Sequence, residues 1–268
     1  MHVAQNRTLL LLEFLMKGAT MKNGLVIVLL FVMAFSAGCG AMEASRKKAS
    51  YHYQMGLSFL AEGNYTRALI DLSEAEKITP NDPVLLNYLG QAYFFKKRFD
   101  LAEAKYLRSI ELRPKYSEAR NNLGATYLEL QQWDNAIKQL TLVTNDIFYQ
   151  NHDTAALNLA LAYFGKGDYQ QALSLLRPVI AGNPRSPVAR LNLGRVYFAD
   201  DKTGLAIEEF KKSIELSSDF AKAHYHLALA YLKCKNTDAA KEEFIEVIRI
   251  NPDDELGQMS KEHLQMLR

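Results

Sequence analysis

The sequence predicts an all-α fold: a right-handed α-solenoid of six helix-turn-helix repeats closed by a C-terminal capping helix. Three observations predict it. A small residue recurs at a period of 34 residues, stretched once to 36: Gly56, Gly90, Gly124, Ala160, Gly194 and Ala228. Three residues after each stands an aromatic: Phe59, Tyr93, Tyr127, Tyr163, Tyr197 and Tyr231. Nine residues further stands alanine: Ala68, Ala102, Ala136, Ala172, Ala206 and Ala240. Pro80, Pro114, Pro184 and Pro252 close four of the six copies.

In chain order, residues 1–20 read as an over-extended start, because a signal beginning at Met21 is complete without them. Residues 21–38 have the plan of a lipoprotein signal peptide: Lys22, an apolar run over 24–35, then Ser36-Ala37-Gly38 before Cys39. The run is shorter than the roughly 20 apolar residues of a membrane span. Cys39 after small residues resembles the bacterial lipobox, although Ser36 stands where leucine is usual. The resemblance implies cleavage before Cys39 and acylation of its thiol, palmitate included. Gly40, in place of a retention aspartate, implies delivery to the outer membrane, on its periplasmic face. A plain signal peptide or an uncleaved anchor is the alternative. Residues 39–48 are small and polar, as a tether would be.

The repeats span 49–82, 83–116, 117–152, 153–186, 187–220 and 221–254. The pattern is identified as the tetratricopeptide repeat, a pair of helices, A and B, repeated at 34 residues. The small residue at position 8 and the alanine at position 20 let A and B approach closely. Large apolar residues at position 24, such as Leu72, Leu140 and Phe210, are expected to face the next repeat. One pair cannot bury these faces alone, so copies stack into one elongated domain. Proline stops helix B because it lacks the N–H that would extend it. Residues 255–268 carry Leu256, Met259, Leu264 and Leu267 on one stripe, as a cap over the last repeat needs.

Composition narrows the function. The chain has 32 Lys+Arg and 30 Asp+Glu. Loss of residues 1–38 would remove Arg7, Lys17, Lys22 and Glu13, leaving 29 of each sign. No basic stripe suits a phosphate backbone, so nucleic acid is not an expected partner. No Gly-rich phosphate loop, Cys-x-x-Cys or His-Glu-x-x-His is present. His224 and His226 stand about 200° apart on a helix and cannot hold one ion together. Neither enzyme activity, a metal nor a cofactor is expected. Cys234, between Lys233 and Lys235, reads as a tolerated cysteine.

Helix A positions 2, 5, 9, 12 and 13 line the concave face of tetratricopeptide arrays. Here they give an apolar series that includes Tyr53, Leu57, Phe94, Phe95, Leu157, Leu161, Phe164, Leu191, Tyr225 and Leu229, with Arg195 among the polar interruptions. An apolar surface of that extent marks a protein partner site. Asn122, Asn158 and Asn192 share the sixth position of successive repeats and could hydrogen-bond an extended peptide. Phe95, Leu161 and Tyr225 are the expected anchors. Tyr53, Leu57, Leu157 and Leu161 stand where a lysine-asparagine carboxylate clamp would need polar groups.

The third repeat ends irregularly, with Asp146-Ile147-Phe148-Tyr149 in place of the proline. Together with Asn121-Asn122-Leu123-Gly124 and Asn158-Leu159-Ala160, this resembles the type IV pilus pilotin family, PilF and PilW. The resemblance covers most of residues 49–216, with Gln150 where that family has proline. It implies a lipoprotein that binds secretin subunits and aids their outer-membrane delivery and multimerisation. The same architecture also suits an adaptor lipoprotein for cell-wall enzymes or polysaccharide export, or a cytosolic adaptor if the signal is false.

Overall fold

The computed structural model of the chain describes residues 42–267. The signal segment and Cys39 lie outside that range. Among the described residues there are 13 helices and no strands. They are α1 (42–61), α2 (Tyr65–Ile78), α3 (Pro83–Phe95), α4 (Phe99–Leu112), α5 (Ser117–Glu129), α6 (Trp133–Thr144) and α7 (His152–Gly165). Then follow α8 (Tyr169–Gly182), α9 (Pro187–Ala199), α10 (Thr203–Leu216), α11 (Ala221–Lys233), α12 (Thr237–Ile250) and α13 (Glu255–Met266). Odd numbers up to α11 are A helices, even numbers are B helices, and α13 is the cap.

The chain divides into two compact units, Met1–Ala92 and Tyr93–Arg268, with the boundary inside α3. In the first, Ala68, Leu72 and Ala75 of α2 are buried with Leu85, Leu89 and Ala92 of α3, and Tyr53, Phe59 and Leu60 of α1 pack onto them. In the second, consecutive helices pack from α4 to α13, and α5, α7, α9, α11 and α13 also touch in turn.

Position 24 packs against the next repeat as expected, Leu72 on Leu85 and Leu89, Leu140 on Leu159 and Phe210 on Leu227, and it also sits on the position-8 residue of its own repeat. A Cβ added at Gly56 would lie 2.5 Å from Leu72 Cγ, at Gly124 2.5 Å from Leu140 Cγ, and at Gly194 2.5 Å from Phe210 Cε1. Each glycine is therefore the hollow that receives its own leucine or phenylalanine. The turn between A and B needs a left-handed backbone at position 15 in all six repeats: Gly63, Lys97, Gln131, Gly167, Asp201 and Lys235, with φ from 55° to 83°. Only two of these are glycine, the residue that adopts this conformation without strain.

Composition did not suggest a second recurring contact. Position 4 of helix A bonds position 23 of helix B in four repeats. His52 Nδ1 meets Asp71 Oδ1 at 2.8 Å, and Arg120 Nη1 donates to Gln139 Oε1 at 2.7 Å. Arg190 Nη1 donates to Glu209 Oε2 at 2.8 Å, and His224 Nδ1 meets Glu243 Oε2 at 2.6 Å. In repeat 4 the same two positions hold Ala156 and Leu175, both packed against an apolar cluster.

Two expectations are corrected. Residues 42–48, read as a tether, are helical and continue into repeat 1. Alanine, lysine, arginine and glutamate favour helix, and Lys47 pairs with Glu43 one turn away at 3.0 Å. In the cap, Met259 points to solvent; the inward stripe is Leu256, Ser260, Leu264 and Leu267, which follows the i, i+4 spacing more closely. The irregular end of repeat 3 is an ordered turn. The Asp146 carboxylate accepts from Ser117 Oγ at 2.5 Å and from Phe148 N at 3.1 Å. Tyr149 is buried with Val143 and Ala155, which leaves Ile147 and Phe148 more than 80% exposed (81% and 87%).

Candidate partner-binding groove

The A-helix side of the second unit carries two open depressions. α7 places Asn158, Leu161 and Phe164 on one face, at i, i+3 and i+6. Gly165 follows, and a Cβ there would lie 2.6 Å from Trp133 Cε3, so the indole lies flat against α7. Phe94 and Leu128 complete the apolar wall of the first depression, and Glu129 and Gln131 stand at its edge. The second is lined by Val188, Leu191 and Asn192 of α9, the start of α11 at Ala221 and Lys222, and Leu256 of α13. Leu161 and Arg195 line both, so the two meet across these side chains. Their volumes, about 590 and 440 Å3, fall in the range of ligand sites.

Arg195 is the charged group at the junction. Its guanidinium lies 5.0 Å from the Phe164 ring centre, and Nη1 donates to Asn192 Oδ1 at 3.3 Å. Among the described residues no carboxylate pairs with it. Burial alone pulls its pKa below the usual arginine value, the mark of a cation short of compensation. His226 stacks on Phe210 with ring centres 5.7 Å apart. Its pKa falls to about 4, first through burial and then through the charges of Arg195 and Lys222. Of the nearby acids, Asp219 is held by Arg249 at 3.1 Å, and Asp254 caps α13 through Gly257 N at 2.8 Å.

The structure brings together Phe94, Asn158, Leu161 and Phe164 in the first depression and Leu161, Leu191 and Asn192 in the second. Tyr53 and Leu57 are half-buried in the first unit. Phe95 is 47% exposed, with its ring edge-on to Phe94 at 5.7 Å. Leu157, Asn122 and Leu229 are half-buried, Leu157 and Leu229 packing against core clusters.

Tyr225 is not an accessible anchor. It is 6% exposed, because α13 covers the fifth position of the last repeat; its hydroxyl lies 3.4 Å from His263 Nε2 and its ring 5.8 Å from Phe244. Leu191 is 4% exposed and serves mainly as core. Asn192 is also buried and holds Arg195, while Asn158 Nδ2 donates to Asn121 Oδ1 at 3.2 Å. Asn158 and Asn192 of that series thus bind their own neighbours. Trp133 was missed because it sits on a B helix, outside the concave positions. Arg195 counted only as an interruption, although a lone cation amid leucine and phenylalanine was a readable signal.

Tetratricopeptide-repeat family models match residues 85–116, 105–138, 157–219 and 198–264. The chain is a tetratricopeptide-repeat protein. Curated relatives of this repeat protein include mouse superkiller complex protein 3, 27% identical over 186 residues, and human protein O-mannosyl-transferase TMTC3, 25% identical over 198 residues. These alignments cover 67% and 68% of the chain but only 12% and 22% of the relatives.

Among solved structures, PilW, described as a type IV pilus biogenesis factor, superposes with a TM-score of 0.70 at 20% identity, covering 79% of this chain and 97% of that one. Pseudomonas aeruginosa PilF gives 0.64 at 17% identity, covering 82% and 99%. A tetratricopeptide-repeat protein of Parabacteroides merdae gives 0.70 at 18% identity, covering 96% and 98%. At these identities the likeness is one of fold.

Proposed function

We propose that this protein is a non-enzymatic scaffold, anchored through an acylated Cys39 on the periplasmic face of the outer membrane, that holds a secretin subunit during type IV pilus assembly. The observation that carries the binding part is the pair of depressions joined at Leu161 and Arg195, apolar on both sides and open to solvent. The A-helix face of a repeat array is the kind of surface that can take an extended or helical segment of a partner. The envelope part rests on the Ser36-Ala37-Gly38-Cys39 motif and the irregular third repeat. Likeness to PilF and PilW over nearly the whole of those chains is consistent with it.

The test is binding of the purified protein to the periplasmic region of a pilus secretin. Leu161→Asp places an unpaired charge in both depressions and should weaken binding by about 2 kcal/mol or more, the scale of an interface hot spot. Its helicity should stay near wild type, because Leu161 is only half-buried. Undiminished binding by the folded variant would remove the groove from the account and direct attention to the exposed Ile147 and Phe148.

A further inference from the structure

The groove has an apolar part that any hydrophobic segment could fill and one feature that could not be satisfied so simply, the guanidinium of Arg195. We propose that the groove takes a through-running segment whose acidic side chain pairs with Arg195 while apolar side chains on either side occupy the two depressions. This rests on the groove reading above and gives the occupant a chemistry.

The argument is one of charge complementarity. Arg195 has five N–H donors, and its described partners are one amide oxygen at 3.3 Å and the face of Phe164. The half-buried arginines at position 4 of A helices each meet an intramolecular acceptor: Arg120 finds Gln139 and Arg190 finds Glu209. Arg195, at position 9, has no such partner from its B helix. Burial already disfavours its charge, and the acids that share the second depression, Asp219 and Asp254, are engaged by Arg249 and by the start of α13. A carboxylate can accept two parallel bonds from a guanidinium, the strongest neutralisation available. Phe164 holds the guanidinium plane from one side, so its entropy is partly spent before the ligand arrives.

Geometry selects an internal acid over a chain terminus. The depressions lie on both sides of Arg195, about 590 and 440 Å3. A C-terminal carboxylate at Arg195 would end the chain there and leave one depression unfilled. An aspartate or glutamate within a segment lets the chain continue into both.

The probe is a fluorescent nonapeptide library, capped at both ends, with a central glutamate and apolar residues on either side. Parallel libraries carry central glutamine, or end in a free carboxylate after the first apolar half. Wild type should prefer central glutamate over glutamine by about tenfold or more, the scale of a desolvated charge pair. Arg195→Gln, which keeps most of the aliphatic stem packed, should abolish that preference, so that the glutamate and glutamine libraries bind with equal affinity. Arg195→Lys should retain part of it. Arg185→Gln, at an exposed turn, should change nothing. A glutamate preference that survives in folded Arg195→Gln, or its absence in wild type, overturns the proposal while the groove stands. Stronger binding of the free-terminus library overturns the internal-acid assignment. Failure of every library on wild type, with no effect of Leu161→Asp, overturns the groove itself.

Discussion

Gly124 and Gly204 are both helical, yet replacing each by alanine should move stability in opposite directions. At Gly124 the new Cβ would meet Leu140 Cγ at 2.5 Å, whereas at Gly204 nothing lies within 4 Å. Gly204→Ala gains helix propensity and loses unfolded-state entropy, and should stabilise by about 0.4–1 kcal/mol. Gly124→Ala must displace a fully buried leucine, and should cost about 1 kcal/mol or more even after the propensity gain. Thermal melts of the two variants decide it; shifts of the same sign would mean that position 8 does not receive position 24. Ala160 and Ala228 fill the same position in repeats 4 and 6, which bounds the cost: the hollow can adjust by a methyl group when the whole repeat adjusts with it.

At the scale of elements, each repeat needs its A and B helices locked, and two solutions occur. Repeat 5 uses Arg190 and Glu209, which are largely buried, with Lys212 also donating to Glu209 at 2.8 Å. Repeat 4 uses Ala156 and Leu175. Removing one member of a buried pair strands the other, whereas exchanging both for an apolar pair is often neutral. Arg190→Ala alone leaves Glu209 with Lys212 only and should cost about 1–3 kcal/mol, and Arg190→Ala with Glu209→Leu should recover most of it. Additive losses in denaturant titrations would contradict the locked-pair account.

Helix α11 carries two histidines that act oppositely with pH. His226 has its folded pKa depressed from 6.5 to about 4, so its contribution is present above the unfolded value and lost as pH falls toward 4. By pH 5 that loss should amount to about 2 kcal/mol. His224 is pulled down by burial, but hydrogen bonds to Glu243 and the Ser218 carbonyl outweigh it and raise the pKa. Its contribution is fully present below about 6.5 and is lost as pH rises through the folded value. His226→Gln should flatten the fall in stability between pH 7 and 5, and His224→Gln should steepen it. Identical pH profiles for wild type and His226→Gln would refute the assignment.

For the whole molecule, the repeat pattern made the fold legible because its spacing reports directly on helix pairing: small, aromatic and alanine positions all reappear in the A/B contacts. The site was less legible. Concave positions are defined for an average repeat, whereas here the cap buries Tyr225, Asn158 bonds Asn121 and Asn192 holds Arg195. Phe94, Leu161 and Phe164 survived because no neighbour covers them, and Trp133 entered only because Gly165 makes room for it. The proposed N-terminal anchor rests on the Ser36-Ala37-Gly38-Cys39 motif. Labelled palmitate should enter the wild-type protein and not Cys39→Ser, and the wild type should fractionate with outer membranes; label retained by the variant would sink the anchor.

The central claim is that the A-helix groove holds a protein segment. It is tested most directly by placing a photo-reactive benzoyl-phenylalanine at Leu161, with the outward B-helix residue Arg177 as control, and mapping the adducts formed in cells by mass spectrometry. The account predicts one secretin segment cross-linked at Leu161, with an acidic residue beside the attachment point, and none at Arg177. Secretin adducts at Arg177 and not at Leu161, in a protein with wild-type melting behaviour, would contradict it.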